Sequence, residues 1–247
     1  MSSKVAVVTG GASGIGLGVA RRFAKDGYAV AIMDLKAAKV AADELAEAGL
    51  AVRGYEVDVA DRAAVFAAFE QVRADLGPVN VLVTSAGIEV MEPHTEVTQA
   101  SWERVIDINL NGTWWCVQAA LPDMIAAEAG RIITIASSSA VSGAPNMAAY
   151  TASKGGVISL TRTLARDLGP QQITANSIAP CIVDTPMAQA SINSGEFNFN
   201  DVVPFVPLRR AGTPEDIAGA CAYLASEDGA YVTGQVLSPN GGMQIPV

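Results

Sequence analysis

Four short runs are apolar at nearly every position: VAVV (Val5 to Val8), YAVAIM (Tyr28 to Met33), VNVLVT (Val79 to Thr84) and RIITIA (Arg131 to Ala136). A strand with one face in water alternates apolar and polar side chains. These runs do not, so both faces are expected to be covered. Longer segments of helical pattern lie between them, among them Ala37 to Ala48 and Ala63 to Leu76. Strand and helix in repeated succession dictate right-handed crossovers and a parallel sheet with helices on both faces. The fold class is therefore α/β, doubly wound. A length of 247 residues suits one such domain with a large core. No linker, repeat or charge run divides it. The longest irregular stretch, Pro186 to Arg210, contains SINSGEFNFN and three prolines and is read as a substrate-binding lid within that domain.

The first strand runs into TGGASGIG, Thr9 to Gly16, and a helical pattern begins at once. Gly10, Gly14 and Gly16 have the spacing of a loop that turns sharply from strand to helix. Glycine lets the backbone approach a pyrophosphate, and the helix N-terminus offers NH groups and a positive dipole. Ser13 and Ile15 belong to the same loop. The second strand ends in Asp34, where a carboxylate accepts hydrogen bonds from the adenosine ribose and repels a 2′-phosphate. Leu35 follows, not arginine, so NAD is expected rather than NADP. Asp58 and Val59, at the end of the third strand, are placed against the adenine.

Tyr150 and Lys154 stand four positions apart in AAYTASKGG. Val157, Leu160, Leu164 and Leu168 fall at helical spacing, and extending that helix back puts Tyr150 and Lys154 on one face near its start. A phenol titrates near pH ~10, too high for a general base at neutral pH, and a nearby ammonium is expected to lower that value. The small residues Ala152, Ser153, Gly155 and Gly156 are expected to leave room for a cofactor against the helix.

With these residues in place the chain resembles the short-chain dehydrogenase/reductase family, single-domain NAD-dependent type, with a Rossmann-type sheet over residues 1–247. The resemblance rests on TGGASGIG, SAG (Ser85, Ala86, Gly87), IN (Ile108-Asn109), YTASK and the late TG…NGG from Thr233 to Gly242. It implies a catalytic set of Asn109, Ser137, Tyr150 and Lys154, with Ser138, Ser139 and Asn111 as neighbours that could substitute. Tyr150 would exchange a proton with the substrate oxygen and Ser137 would donate a hydrogen bond to it. Lys154 would lower the tyrosine pKa and bind the nicotinamide ribose. Asn109 would hold a water that links Lys154 to solvent. Pro180, Cys181, Val183 and Thr185 match positions that contact the nicotinamide end of NAD. The family also implies a homotetramer.

Three positions depart from the family pattern. Ser85 replaces an asparagine, Asn240 an aspartate, and Cys181 a glycine. Cys181 then requires a backbone that a non-glycine residue tolerates, with its side chain near the nicotinamide.

Substrate contacts are sought among Glu89, Val90, Met91, Ser139, Val141, Asn146, Met187, Phe197, Phe199 and Phe205. Apolar groups outnumber charged ones and no arginine is present, which favours a hydrophobic secondary alcohol or ketone, alicyclic ones included. A 3-oxoacyl thioester reductase is the alternative within enzymes, and a non-catalytic NAD-binding regulator the alternative outside them.

Net charge is −9, so nucleic acid is not expected as a partner. No apolar run of spanning length occurs, so no membrane association is expected. Cys116, Cys181 and Cys221 make neither a disulfide framework nor a zinc site, and His94 has no second ligand near it in sequence, so no metal is expected. The opening MSSKVAVVTGG lacks the segments of a secretory signal. A reducing cytoplasm is expected.

Overall fold

The structure, a computed structural model, describes residues 3–195 and 198–243. Among the described residues seven parallel strands form one sheet in the order β3-β2-β1-β4-β5-β6-β7. They are β1 (Val5–Thr9), β2 (Ala29–Asp34), β3 (Val52–Glu56), β4 (Val79–Thr84), β5 (Gly130–Ile135), β6 (Ile173–Ile178) and β7 (Val236–Leu237). The helices are α1 (Gly14–Lys25), α2 (Ala38–Glu47), α3 (Arg62–Asp75), α4 (Gln99–Ile106), α5 (Gly112–Ala126), α6 (Ser139–Ser142), α7 (Ala148–Leu168), α8 (Pro186–Asn193), α9 (Phe199–Val202) and α10 (Pro214–Ala225).

The unbroken apolar character of the strands has the reason the sequence suggests. All five residues of β1 are buried, because successive side chains enter different cores. Val8 and Ile32 meet Val19 and Phe23 of α1, Leu45 of α2 and Ile217 of α10 on one face. Val7 and Leu82 meet Phe69 of α3, Val117 of α5 and Leu164 of α7 on the other. β3 lies at the sheet edge and exposes Arg53 and Glu56, as an edge strand with one partner does.

The chain winds outward from β1 to β3, then crosses back to place β4 on the other side of β1. Ligands of such sheets bind beyond the carboxyl ends of the strands where the winding reverses. TGGASGIG leaves β1 at that point.

The stretch from Pro186 to Arg210 is more regular than its composition suggests. It carries α8, α9 and a 3-10 turn, Val203–Phe205. Thr185 starts α8 by accepting a hydrogen bond from Ala188 N at 3.2 Å, with Pro186 in the first turn, where its missing NH costs nothing. Among the described residues no helix is long and apolar enough to cross a membrane.

Candidate active site

A cavity of about 710 Å³ runs along the carboxyl ends of the strands. Its floor at one end is the glycine loop. Gly10 has φ +63°, and a Cβ there would lie 2.8 Å from the Ala86 backbone. A Cβ on Gly16 would strike the Gly10 carbonyl. Thr9 Oγ1 accepts from Ser85 N and Ala86 N, each at 3.2 Å, and locks β1 to the start of the SAG segment. Ser13 makes no side-chain cap on α1 and the first turn holds no acidic residue. The first NH groups of α1 are therefore available to an anionic ligand. Loop, close backbone approach and uncapped helix together fit a dinucleotide pyrophosphate.

Every residue expected at the cofactor lines this cavity. Gly10, Ser13, Gly14, Ile15 and Gly16 form the loop end, and Asp34, Leu35, Asp58 and Val59 the adenosine end. Ser85, Ala86 and Gly87 form the middle, and Pro180, Cys181, Val183 and Thr185 the far wall beside Tyr150 and Lys154. Asp34 is held in place by Ala12 N at 3.1 Å and Lys36 N at 3.3 Å, both donating to its carboxylate. Lys36 itself also lines this end, which the sequence reading did not include. Cys181 is not among the residues with positive φ, so its backbone accommodates a side chain without strain. Ser85, in place of asparagine, still donates its backbone NH to Thr9.

At the other end α7 presents Tyr150, 9% exposed, and Lys154, 5% exposed, on one face. Lys154 Nζ lies 5.8 Å from the Tyr150 ring centroid and donates to Ile135 O, at the end of β5, at 2.7 Å. Of the three neighbouring serines, Ser137 is the one whose hydroxyl engages Tyr150. Ser139 supports it, its hydroxyl donating to Ser137 Oγ at 2.8 Å and its backbone NH at 3.2 Å. Ser138 is buried, and its NH donates to Pro180 O at 2.9 Å.

Asn109 is fully buried and does not line the cavity. It sits in a π-helical turn, Asp107–Asn111, between α4 and α5. Its amide brackets the backbone of residue 88: Oδ1 accepts from Ile88 N at 2.9 Å and Nδ2 donates to Ile88 O at 3.0 Å. Nδ2 also donates to Ser153 Oγ at 3.1 Å. Through these bonds it joins the chain after β4 to α7. Asn111 instead donates to Asp107 within its own turn at 2.8 Å.

Two expectations about this corner are corrected. None of Ala152, Ser153, Gly155 or Gly156 lines the cavity. Ser153 binds Asn109, and a Cβ on Gly156 would lie 2.9 Å from the Leu110 side chain, so these residues make room for the neighbouring π turn. The Tyr150 pKa is not lowered. Burial, then the Glu89 carboxylate, push it up to about 12, with the Ser137 hydrogen bond opposing. Burial brings Lys154 down to about 8, with Glu89 opposing. Desolvation disfavours the charged form of each group, which raises the phenol and lowers the amine.

The substrate-contact expectations divide. Ser139, Met187, Glu89 and Met91 line the cavity. Val141 and Phe205, 71% and 75% exposed, are not on its wall. Asn146 and Phe199 are not on its wall either. Asn146 has φ +59° and spends its carbonyl on Glu92 N, forming the bend before α7. Val90 packs beside Val105 and Tyr150. Phe197 lies outside the described residues. Residues absent from the expectation include Ala144, Met147, Ile182 and Ser191. Only helical phase within α8 could have pointed to Ser191, four positions after Met187.

A doubly wound sheet with a glycine-loop dinucleotide cradle and a Tyr–Lys pair in one cavity defines a nicotinamide-dependent oxidoreductase class. Residues 10–244 match the family described as Enoyl-(Acyl carrier protein) reductase. The 3-oxoacyl-[acyl-carrier-protein] reductase MabA of Mycobacterium tuberculosis is 40% identical over 244 residues, 98% of this chain and 93% of the relative. The 2,3-dihydroxy-2,3-dihydro-p-cumate dehydrogenase of Pseudomonas putida is 36% identical over 255 residues, 98% and 95%. The solved structure of gox2181 superposes with a TM-score of 0.93 at 32% identity, covering 98% of this chain and 96% of that one. The chain belongs to the short-chain dehydrogenase/reductase family.

The buried pair makes stability depend on pH with a definite sign. Between about 8 and the ordinary lysine value near ~10.4, Lys154 holds fewer protons folded than unfolded, so stability rises with pH. Between the ordinary value near ~10 and about 12, Tyr150 holds more protons folded, so stability falls. In urea denaturation, the stability of the wild type relative to Lys154→Met is expected to increase from pH 8 to 10. A difference flat in pH would contradict the burial of this amine.

Proposed function

We propose that the chain transfers hydride between NAD(H) and a carbon that interconverts between ketone and secondary alcohol. The observation that carries this reading is the convergence of Tyr150 and Ser137 on the same cavity as the glycine loop and Asp34. When bound, the nicotinamide supplies the hydride donor or acceptor. Gly10, Gly16 and the α1 N-terminus would hold the pyrophosphate, and Lys154 the nicotinamide ribose. Asp34 would accept from the adenosine ribose and disfavour a 2′-phosphate. Tyr150 exchanges the proton of the substrate oxygen, and Ser137 donates a hydrogen bond to that oxygen as charge develops on it.

One observation moves the substrate reading toward a 3-oxoacyl thioester and reduction. MabA, 40% identical, is described as a 3-oxoacyl-[acyl-carrier-protein] reductase. Oxidation of a free, ring-borne secondary alcohol is the second reading, supported by the p-cumate dihydrodiol dehydrogenase at 36% identity. No observation favours a non-catalytic regulator.

Tyr150→Phe is expected to lower NADH-dependent reduction of acetoacetyl-CoA by about 10²- to 10⁴-fold, with NADH affinity by fluorescence titration unchanged within about threefold. Unchanged turnover would contradict the proposed chemistry. For the cofactor, Asp34→Ala is expected to reduce the preference for NADH over NADPH, as a ratio of kcat/KM, by about tenfold, equivalent to one lost hydrogen bond to a charged group. A wild type that already prefers NADPH would overturn the assignment to NAD.

A further inference from the structure

Ser139 opens α6, two residues beyond Ser137, and both serines line the cavity together with Tyr150. They are bonded to each other twice. Ser139 N donates to Ser137 Oγ at 3.2 Å, and Ser139 Oγ donates to the same oxygen at 2.8 Å. The segment that carries them is pinned to the end of β6 and the chain after it. Ala136 N donates to Ile178 O at 2.7 Å, and Ser138 N to Pro180 O at 2.9 Å. Gly143 N donates to Ser139 O at 2.8 Å and closes the turn behind them. The pair of hydroxyls is thus mounted on fixed backbone.

A hydroxyl has one proton to give and two lone pairs that receive. Two donors from Ser139 take up the lone pairs of Ser137, so what Ser137 offers the cavity is its proton. Accepting a bond also polarises the O–H and strengthens the bond it donates. The bond between Ser137 and Tyr150 lowers the phenol's pKa, the sign of donation to its charged form.

We infer that Ser139 is a positioning residue: it holds the Ser137 hydroxyl in the orientation that aims its proton at the substrate oxygen, and it acts on the reaction only through Ser137. The inference rests on the hydride-transfer reading above, in which Ser137 donates to that oxygen. It moves Ser139 from substrate contact to the support of one. Without the Ser139 hydroxyl, Ser137 is free to turn a lone pair toward the oxygen on which charge develops. A donor fixed beforehand has no such reorganisation to undergo during the reaction.

The test is a double-mutant cycle, run on whichever of NADH-dependent acetoacetyl-CoA reduction and NAD-dependent cyclohexanol oxidation the wild type catalyses faster. Ser139→Ala removes the hydroxyl and keeps the backbone bond to Ser137. Its kcat is expected to fall about tenfold, with KM and NADH affinity unchanged within about threefold, the loss of about one hydrogen bond felt only in the transition state. Ser139→Thr keeps the hydroxyl and is expected to stay within about threefold of the wild type. Ser137→Ala is expected to lower kcat by about 10²- to 10³-fold. Adding Ser139→Ala to it is expected to cost less than about twofold more, because nothing is left for Ser139 to orient. A Ser139→Ala enzyme with wild-type kcat, a Ser139→Thr enzyme as slow as Ser139→Ala, or a Ser139→Ala loss that persists in full beside Ser137→Ala overturns the inference and leaves hydride transfer standing. A wild type that converts neither compound overturns both.

Discussion

An ammonium group buried in the wall of a cavity is the constraint that organises the catalytic half of this molecule. A cation in that position is costly unless its donors are satisfied. Lys154 meets the requirement through the Ile135 carbonyl, at the end of β5, at 2.7 Å. Space for it is cleared opposite, where a Cβ on Gly87 would stand 3.4 Å from Nζ and 3.1 Å from Asn109 Oδ1. Asn109 in turn fixes the chain after β4 and, through Ser153, the same turn of α7 that carries Lys154. The π turn that positions Asn109 is closed by Thr113, whose hydroxyl donates to Asn109 O at 2.8 Å. Local irregularity of this kind in an otherwise regular helix is common at functional sites.

The dinucleotide half is organised by topology. Because β4 returns to the far side of β1, the loops after these strands part and leave a crevice. Thr9 holds the two loops at a fixed separation. Glycine at positions 10 and 16 then lets backbone pass over backbone where a side chain would not fit. The two halves share one cavity, and this makes a redox reading coherent.

Much of this was legible in the sequence, for reasons of period and sterics. Strands covered on both faces announce themselves as unbroken apolar runs, and β4 is the segment from Val79 to Thr84 as read. Tyr150 and Lys154 share a face because helical periodicity dictates it. The loop end of the cavity was legible because backbone passes close to backbone there, which glycine at positions 10 and 16 permits. The substrate wall was not. Val141 and Phe205 look like pocket residues by type, yet they stand exposed off the cavity wall, on α6 and on the 3-10 turn after α9, and no periodicity encodes that placement. The protonation of Tyr150 was misread for a related reason: charge proximity follows from spacing, whereas desolvation depends on every element packed around the group. Glu89 was recognised as a wall residue, but its bond to Ser191 spans 102 positions.

The central claim is that Tyr150 is a protonated phenol facing the space in which the dinucleotide binds. Ultraviolet difference titration of the wild type against Tyr150→Phe, at the tyrosinate band and with and without NAD, isolates that one group. The account predicts that the unliganded phenol stays protonated beyond pH 10, and that NAD, whose oxidised ring is cationic, moves its titration to lower pH. A Tyr150 titration that NAD leaves unmoved, while NAD is bound, would place the dinucleotide elsewhere and contradict the account.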